Sequence, residues 1–235
     1  MQVNSGESLS LSGDITVNAD WSTSSAVFGL NSGTLTGDVD RLTINLQNSD
    51  LEGIKLLGTS SVNISGPVTI AALTGQTDNY GLDINNSSSI TFQDAVSINM
   101  VGEYQTPVQL MSGTAAFNND LDITVGDNYS YGFLTYDMAD PSEIRLNGTT
   151  TINASNGAEA ITNLGGVVLI NGPLTINASD THALVIDASS FTSTSTTGTR
   201  SSESASPNPQ VLKISGEIIL QNKAALMLLD MAAGS

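Results

Sequence analysis

The strongest constraint on this chain is one sequence unit written twice in succession. Ile144-Arg-Leu146-Asn-Gly148-Thr-Thr-Thr-Ile152-Asn153-Ala154-Ser155 returns as Val168-Leu-Ile170-Asn-Gly172-Pro-Leu174-Thr-Ile176-Asn177-Ala178-Ser179, and Gly148 to Gly172 sets a period of 24 residues. Each copy is followed by a second short apolar unit, Ala160-Ile161-Thr162-Asn163-Leu164 and then Ala183-Leu184-Val185-Ile186-Asp187. Short alternating segments repeating at this interval, with turn residues between them, call for a solenoid.

The opening pattern is apolar, any, apolar, any, turn residue, any, apolar, any, apolar. It recurs at Leu9–Val17, Val62–Ile70, Ile90–Ile98, Ala115–Ile123, Ile144–Ile152, Val168–Ile176 and Leu212–Leu220. A further copy from Leu35 to Ile44 carries about three extra residues after its glycine. The turn positions are Gly13, Gly37, Gly66, Asp94, Asn119, Gly148, Gly172 and Gly216, all residue types that tolerate a sharp bend. The second unit starts at Ala26, Gly53, Gly81, Pro107, Gly132, Ala160, Ala183 and Ala225.

Each coil thus offers three short segments of period 2, which place alternate residues inside and outside. Stacked, they predict a single all-β domain over residues 1–235, a right-handed parallel β-helix of three sheets and about eight coils. At about 4.8 Å per coil this is a rod of roughly 38 Å. After the second strand stand Asn18, Asn45, Ala71, Asn99, Thr124, Asn153, Asn177 and Gln221, expected as inward amides hydrogen-bonded along the rod. Thr16, Thr43, Thr69, Ser97, Asp122, Thr151, Thr175 and Ile219 form the outward rank of that strand. Two breaks interrupt the pattern. Residues 189–209, rich in Ser, Thr and Pro, read as a flexible loop insertion, and the end at Ser235 without a polar cap leads one to expect further coils or a cap beyond it.

Charge narrows the function. Six Lys and Arg against 23 Asp and Glu give a formal net charge of −17, which disfavours nucleic acid, anionic membrane and heparin-like partners. With no cysteine, disulfides and thiolate metal sites are excluded. No apolar run approaches a membrane span, and the start has no charged n-region followed by an apolar stretch, so this segment is expected not to insert into a membrane.

Catalytic chemistry has little to work with, so the chain is read as non-enzymatic with no cofactor. His182 is the only histidine, and no Gly-x-Ser-x-Gly elbow accompanies it. A carboxylate pair at Asp94 and Asp120 is set against the turn role that both positions fill. The acidic stretch Asp120 to Asn128 lacks the closing Glu of a calcium loop, and the threonine rank is interrupted at Asp122 and Ile219 as an ice-facing ladder should not be. The aromatic residues point elsewhere. Tyr129 falls in register with Tyr104 one coil earlier, and Tyr131 with Tyr80 two coils earlier. Tyr80, Tyr104, Asp127, Tyr129, Tyr131 and Tyr136 are therefore the candidate ligand-binding residues, amphipathic rings among acids on a rigid wall. The competing reading has these rings packing loops onto the rod.

The units Gly-Pro-Leu-Thr-Ile-Asn-Ala at 172–178 and Gly-Asp-Ile-Thr-Val-Asn-Ala at 13–19 resemble the repeats of bacterial autotransporter passenger domains. The resemblance implies export from a Gram-negative bacterium, exposure at the cell surface or release from it, and an adhesin acting in aggregation, biofilm formation, virulence or host attachment. Its partner would be a surface glycan, a host or matrix protein, or another copy of the chain. Two alternatives stand beside it: a polysaccharide depolymerase or lyase, and a spacer that carries a distal adhesive domain. Against a lyase, Arg41, Lys55, Arg145, Arg200, Lys213 and Lys223 are scattered rather than clustered.

Overall fold

A computed structural model describes residues 1–21, 25–136 and 142–178 in full, and the backbone of strands His182–Asp187, Val211–Ile214, Ile218–Gln221 and Ala225–Leu229. The insertion expected at 189–209 and the side chain of His182 lie outside the described residues.

Every strand pair is parallel, and no helix occurs among the described residues. Two hydrogen-bonded sheets result. One has nine strands, Gln2–Val3 followed by the eight second-unit strands from Ser25–Asn31 to Ala225–Leu229; the other has 14. In the first coils, Ser8–Ala19 and Thr34–Leu46 run unbroken through the turn position, so the ranks before and after the turn form one surface there. The register shifts between Gly13 and Asp14, leaving Asp40 as the one extra residue of the second copy, and Gly37 pairs with Leu11 rather than taking the turn position expected for it. From Ser61–Ser65 and Val68–Ala72 onward, separate strands make separate ranks, giving the three walls expected. The solenoid so described has about six turns rather than eight, and strands from Val211–Ile214 to Ala225–Leu229 continue the same pairing.

Stacking equal coils stacks equal residues, and the core is built that way. Ile44, Ile70, Ile98, Ile123, Ile152 and Ile176 pair in register and are each fully buried. A β-branched side chain suits a pleated wall, and each such burial contributes about 1.5–3 kcal/mol. Phe92 and Phe117 stack at 5.4 Å between centroids, with Phe133 edge-on to Phe117 at 6.3 Å.

The asparagine rank faces the other way from the expectation. Ile44 points inward, so Asn45 beside it must point outward, and Asn18 and Asn99 are exposed. Rungs still form on the outside: Asn45 donates to Asn18 and Asn177 donates to Asn153, both at 2.8 Å. The threonine rank is in register from Thr16 to Ile219, and its members from Thr16 to Thr175 face outward as expected.

Turn positions differ in why they hold glycine. At Gly66 the backbone is left-handed, φ 93°, and a Cβ would lie 1.9 Å from the Val39 carbonyl oxygen. Gly148 and Gly172 have no such φ; there a Cβ would meet the backbone of the preceding coil at 2.3 and 2.1 Å. Close approach between coils, rather than backbone handedness, selects glycine at those two.

Gly66→Ala is expected to lower stability by about 1–3 kcal/mol in urea unfolding, whereas Gly75→Ala, at φ 85° with nothing within 4 Å, loses only about 1 kcal/mol. Thr150 is 1% exposed in an inward column between Leu121 and Leu174, and its hydroxyl has no hydrogen-bond partner. Thr150→Val should therefore raise the unfolding free energy measured in urea by about 1 kcal/mol, because it removes an unsatisfied buried hydroxyl at nearly constant shape.

Candidate functional site

The wall formed by the second-unit strands differs from the other two. Its outward side carries aromatic rings beside its charges, where the others carry mainly Thr, Ser and Asn with single charges such as Asp38, Asp122, Glu143 and Arg145.

One outward column runs Glu52, Tyr80, Thr106, Tyr131 and Glu159. Beside it, Lys55 holds two carboxylates, Glu52 Oε1 at 2.6 Å and Asp83 Oδ2 at 3.3 Å, both on largely buried side chains. Burial works against the Lys55 charge, yet the hydrogen bond and charge of Glu52 and the charge of Asp83 outweigh it, and its pKa is raised. The other oxygen of Asp83 accepts from Asn85 at 2.8 Å and Gln109 at 3.1 Å. This network fixes the lower part of the wall.

Corners entering this wall are left-handed. Asp50, Asp78, Tyr104, Tyr129 and Gly157 each stand two residues before a member of the outward column, and all have positive φ, from 57° at Tyr104 to 89° at Gly157. Backbone bonds tie the column together, from Asp50 N–H to the Thr77 carbonyl, Asp78 to Glu103 and Tyr104 to Asn128. A bulky residue rarely adopts this conformation, and here two tyrosines do so in succession. The geometry turns both rings outward. Tyr104 and Tyr129 stack at 5.1 Å with an interplanar angle of 7°, and remain 45% and 63% exposed. Loops packed onto the rod would bury these rings, so that competing role does not fit this pair.

Gly157 follows Tyr129 in the column and has no side chain. Above Tyr129 there is accordingly a cleft of about 260 Å³ lined by Asn128, Tyr129, Ser130, Tyr131, Gly157 and Glu159. A Cβ at Gly157 would sit 2.6 Å from Asn128 Oδ1, so glycine leaves this space open. Glu159 Oε2 accepts a short hydrogen bond from the Thr162 hydroxyl, which orients the carboxylate.

Of the candidate residues named from sequence, the structure places Tyr129 and Tyr131 in this cleft, with Tyr104 outside its lining and stacked on Tyr129. Tyr80 lies two coils from Tyr131 in the same column, with Thr106 between. Tyr136 ends the strand Tyr131–Tyr136 and influences the ionisation of both Tyr80 and Tyr131. Asp127 sits at the corner with φ 71°, where its Oδ1 accepts from Asn156 at 3.1 Å. Asn128, Gly157 and Glu159 are additions from the structure. Counting two residues back from each outward-column member identifies Gly157 as the successor of Tyr129.

The carboxylates considered for hydrolysis serve the backbone. Asp94 Oδ2 accepts the Gly66 N–H at 2.7 Å, and Asp120 Oδ1 accepts the Thr149 N–H at 3.2 Å. Among the described residues no group of three or more His, Cys, Asp or Glu side chains converges as a metal site would require. No helix among them is long and apolar enough to cross a membrane.

A polar ladder absent from the sequence reading runs along another edge. Gln93 donates to Asn63, Asn118 to Gln93, Asn147 to Asn118 and Asn171 to Asn147, at 2.7–2.9 Å. The signal for it is the amide just before four successive turn positions, Gln93-Asp94, Asn118-Asn119, Asn147-Gly148 and Asn171-Gly172.

No protein-family model, curated protein or solved structure matches the chain.

Burial, then the charges of Asp83 and Asp78, raise the Tyr80 pKa; burial, then Glu159, raise that of Tyr131. Stability from these phenols is fully present below the ordinary tyrosine value of about 10 and is lost as pH rises through the raised folded values. In a phenolate absorbance titration Tyr80 and Tyr131 are expected to give a late phase, which Tyr80→Phe with Tyr131→Phe should remove.

Proposed function

We propose that this chain is a non-enzymatic binding rod of a bacterial cell surface, an adhesin of the autotransporter passenger type that holds a surface glycan on the Tyr104–Tyr129 pair. The observation that carries the reading is the exposed parallel stack of these two rings on a strained corner column, beside an open cleft. Sugar rings present C–H faces that pack on an aromatic plane, and their hydroxyls suit the amide of Asn128 and the carboxylate of Glu159. A rigid solenoid supports the role because it holds both rings in place before the ligand arrives, which lowers the entropy lost on binding.

Self-association is the second reading, favoured by the flat outward ranks of Thr and Asn on the wall after the turn. Many weak hydrogen bonds along such ranks add through multivalency.

Retention of the purified chain on a panel of immobilised polysaccharides, with an assay for new reducing ends, tests the first reading. Retention without cleavage is expected, weakened roughly tenfold by Tyr129→Ala and similarly by Tyr104→Ala. Cleavage would replace the adhesin with a depolymerase. Retention indifferent to both tyrosines, together with concentration-dependent sedimentation abolished by Thr69→Lys plus Thr151→Lys, would move the function to self-association.

A further inference from the structure

The cleft above Tyr129 carries information about the charge of what enters it. Asp78 precedes Tyr104 in the corner column, Glu103 adjoins Tyr104, Asp127 lies two residues before Tyr129, and Glu159 lines the cleft itself. None of the lining residues is Lys or Arg. Of the described Lys and Arg side chains, Lys55 is engaged by Glu52 and Asp83, Arg145 by Glu143, and Arg41 stands on another wall in Thr34–Leu46. The whole molecule adds a field from its net charge of −17.

An occupant therefore meets one open aromatic face, one oriented carboxylate and an amide, in a negative potential. A uronate or sulfated sugar would be repelled there. A neutral sugar would gain stacking and hydrogen bonds alone. A protonated amino sugar would gain both of these, an ion pair with Glu159 and a cation–π contribution from the Tyr129 ring.

We infer that the cleft over Gly157 is a subsite for a cationic amino-sugar residue, stacked on the free face of Tyr129 with its ammonium held by Glu159. The ligand class is a deacetylated amino-sugar polymer. Gly157 is the specificity element, since its missing side chain makes room for the sugar where the column would otherwise continue with a fifth side chain. This inference rests on the glycan-binding reading and narrows it to one charge class.

The test is calorimetric titration with three oligosaccharides of equal length: glucosamine, N-acetylglucosamine and galacturonate. It is run at mildly acidic pH, where sugar amines are protonated and carboxylates ionised. The glucosamine oligomer is expected to bind roughly tenfold tighter than its acetylated counterpart, and the galacturonate oligomer not at all. Glu159→Gln should erase the tenfold preference, whereas Asp38→Asn, which removes the same charge from an exposed site on another wall, should leave it intact. Gly157→Asn, which fills the slot with a residue that accepts left-handed backbone, should abolish binding, and Tyr129→Ala supplies the same test without altering the corner glycine.

Equal affinity for the amino and acetylated oligomers, lost in Tyr129→Ala, would overturn the charge preference and leave the glycan-binding reading standing. Glucosamine binding untouched by Tyr129→Ala and Gly157→Asn would mean attraction to net charge alone and would overturn both. Failure of all three oligomers to bind would overturn the inference, with the polysaccharide panel then deciding the broader reading.

Discussion

Parallel backbone hydrogen bonding between one coil and the next governs everything else in this molecule. It places each residue directly over its counterpart one coil away, about 4.8 Å along the axis, so a choice made at one sequence position is repeated as a column in space. Inside, the columns are Ile on Ile and Phe on Phe, and close packing follows because identical shapes nest. Outside, the same rule lines up Thr with Thr, amide with amide and, at one corner, tyrosine with tyrosine. The candidate site is therefore a product of register. Neither tyrosine alone would make a platform, and a shift of one residue in either coil would separate the rings.

Corners matter as much as walls. The walls are satisfied by their own ladders, and the left-handed conformations gather where the chain must turn. At the corner before the second-unit wall, five successive coils meet the same backbone demand with three residue types: Asp50 and Asp78, Tyr104 and Tyr129, then Gly157. Holding non-glycine residues there costs about 1 kcal/mol each, and the coil-to-coil hydrogen bonds offset it. Variation along such a column changes the surface without touching the core, which is how a uniform scaffold acquires a local site.

Much of this was legible in the sequence, and the parts that were not have physical reasons. Glycine-centred alternation announced the strands, and equal spacing announced that Tyr104 and Tyr129 share a column. Their actual stacking depends on side-chain rotamers and on the corner conformation, which spacing does not encode. The Asn45 rank was expected inward because stacked amides suit a core; strict alternation from Ile44 already requires it to face out. The ladder through Asn118 and Asn147 is hidden in the sequence because its amides stand directly before turn residues, where Asn and Gln are equally at home without any partner one coil away. Gly157 carried no signal by itself, since its importance lies in what stands beneath it.

That ladder has one further property. Every rung between Asn171 and Asn63 has the amide nitrogen of the later coil donating to the oxygen of the earlier one. Side-chain dipoles therefore align head to tail along one edge, giving the rod a vectorial polarity of its own, apart from its backbone. Rotating a single interior amide by half a turn sets donor against donor on one side and acceptor against acceptor on the other. The row can reverse only as a unit, so its direction is a collective property of the edge that no one asparagine sets alone.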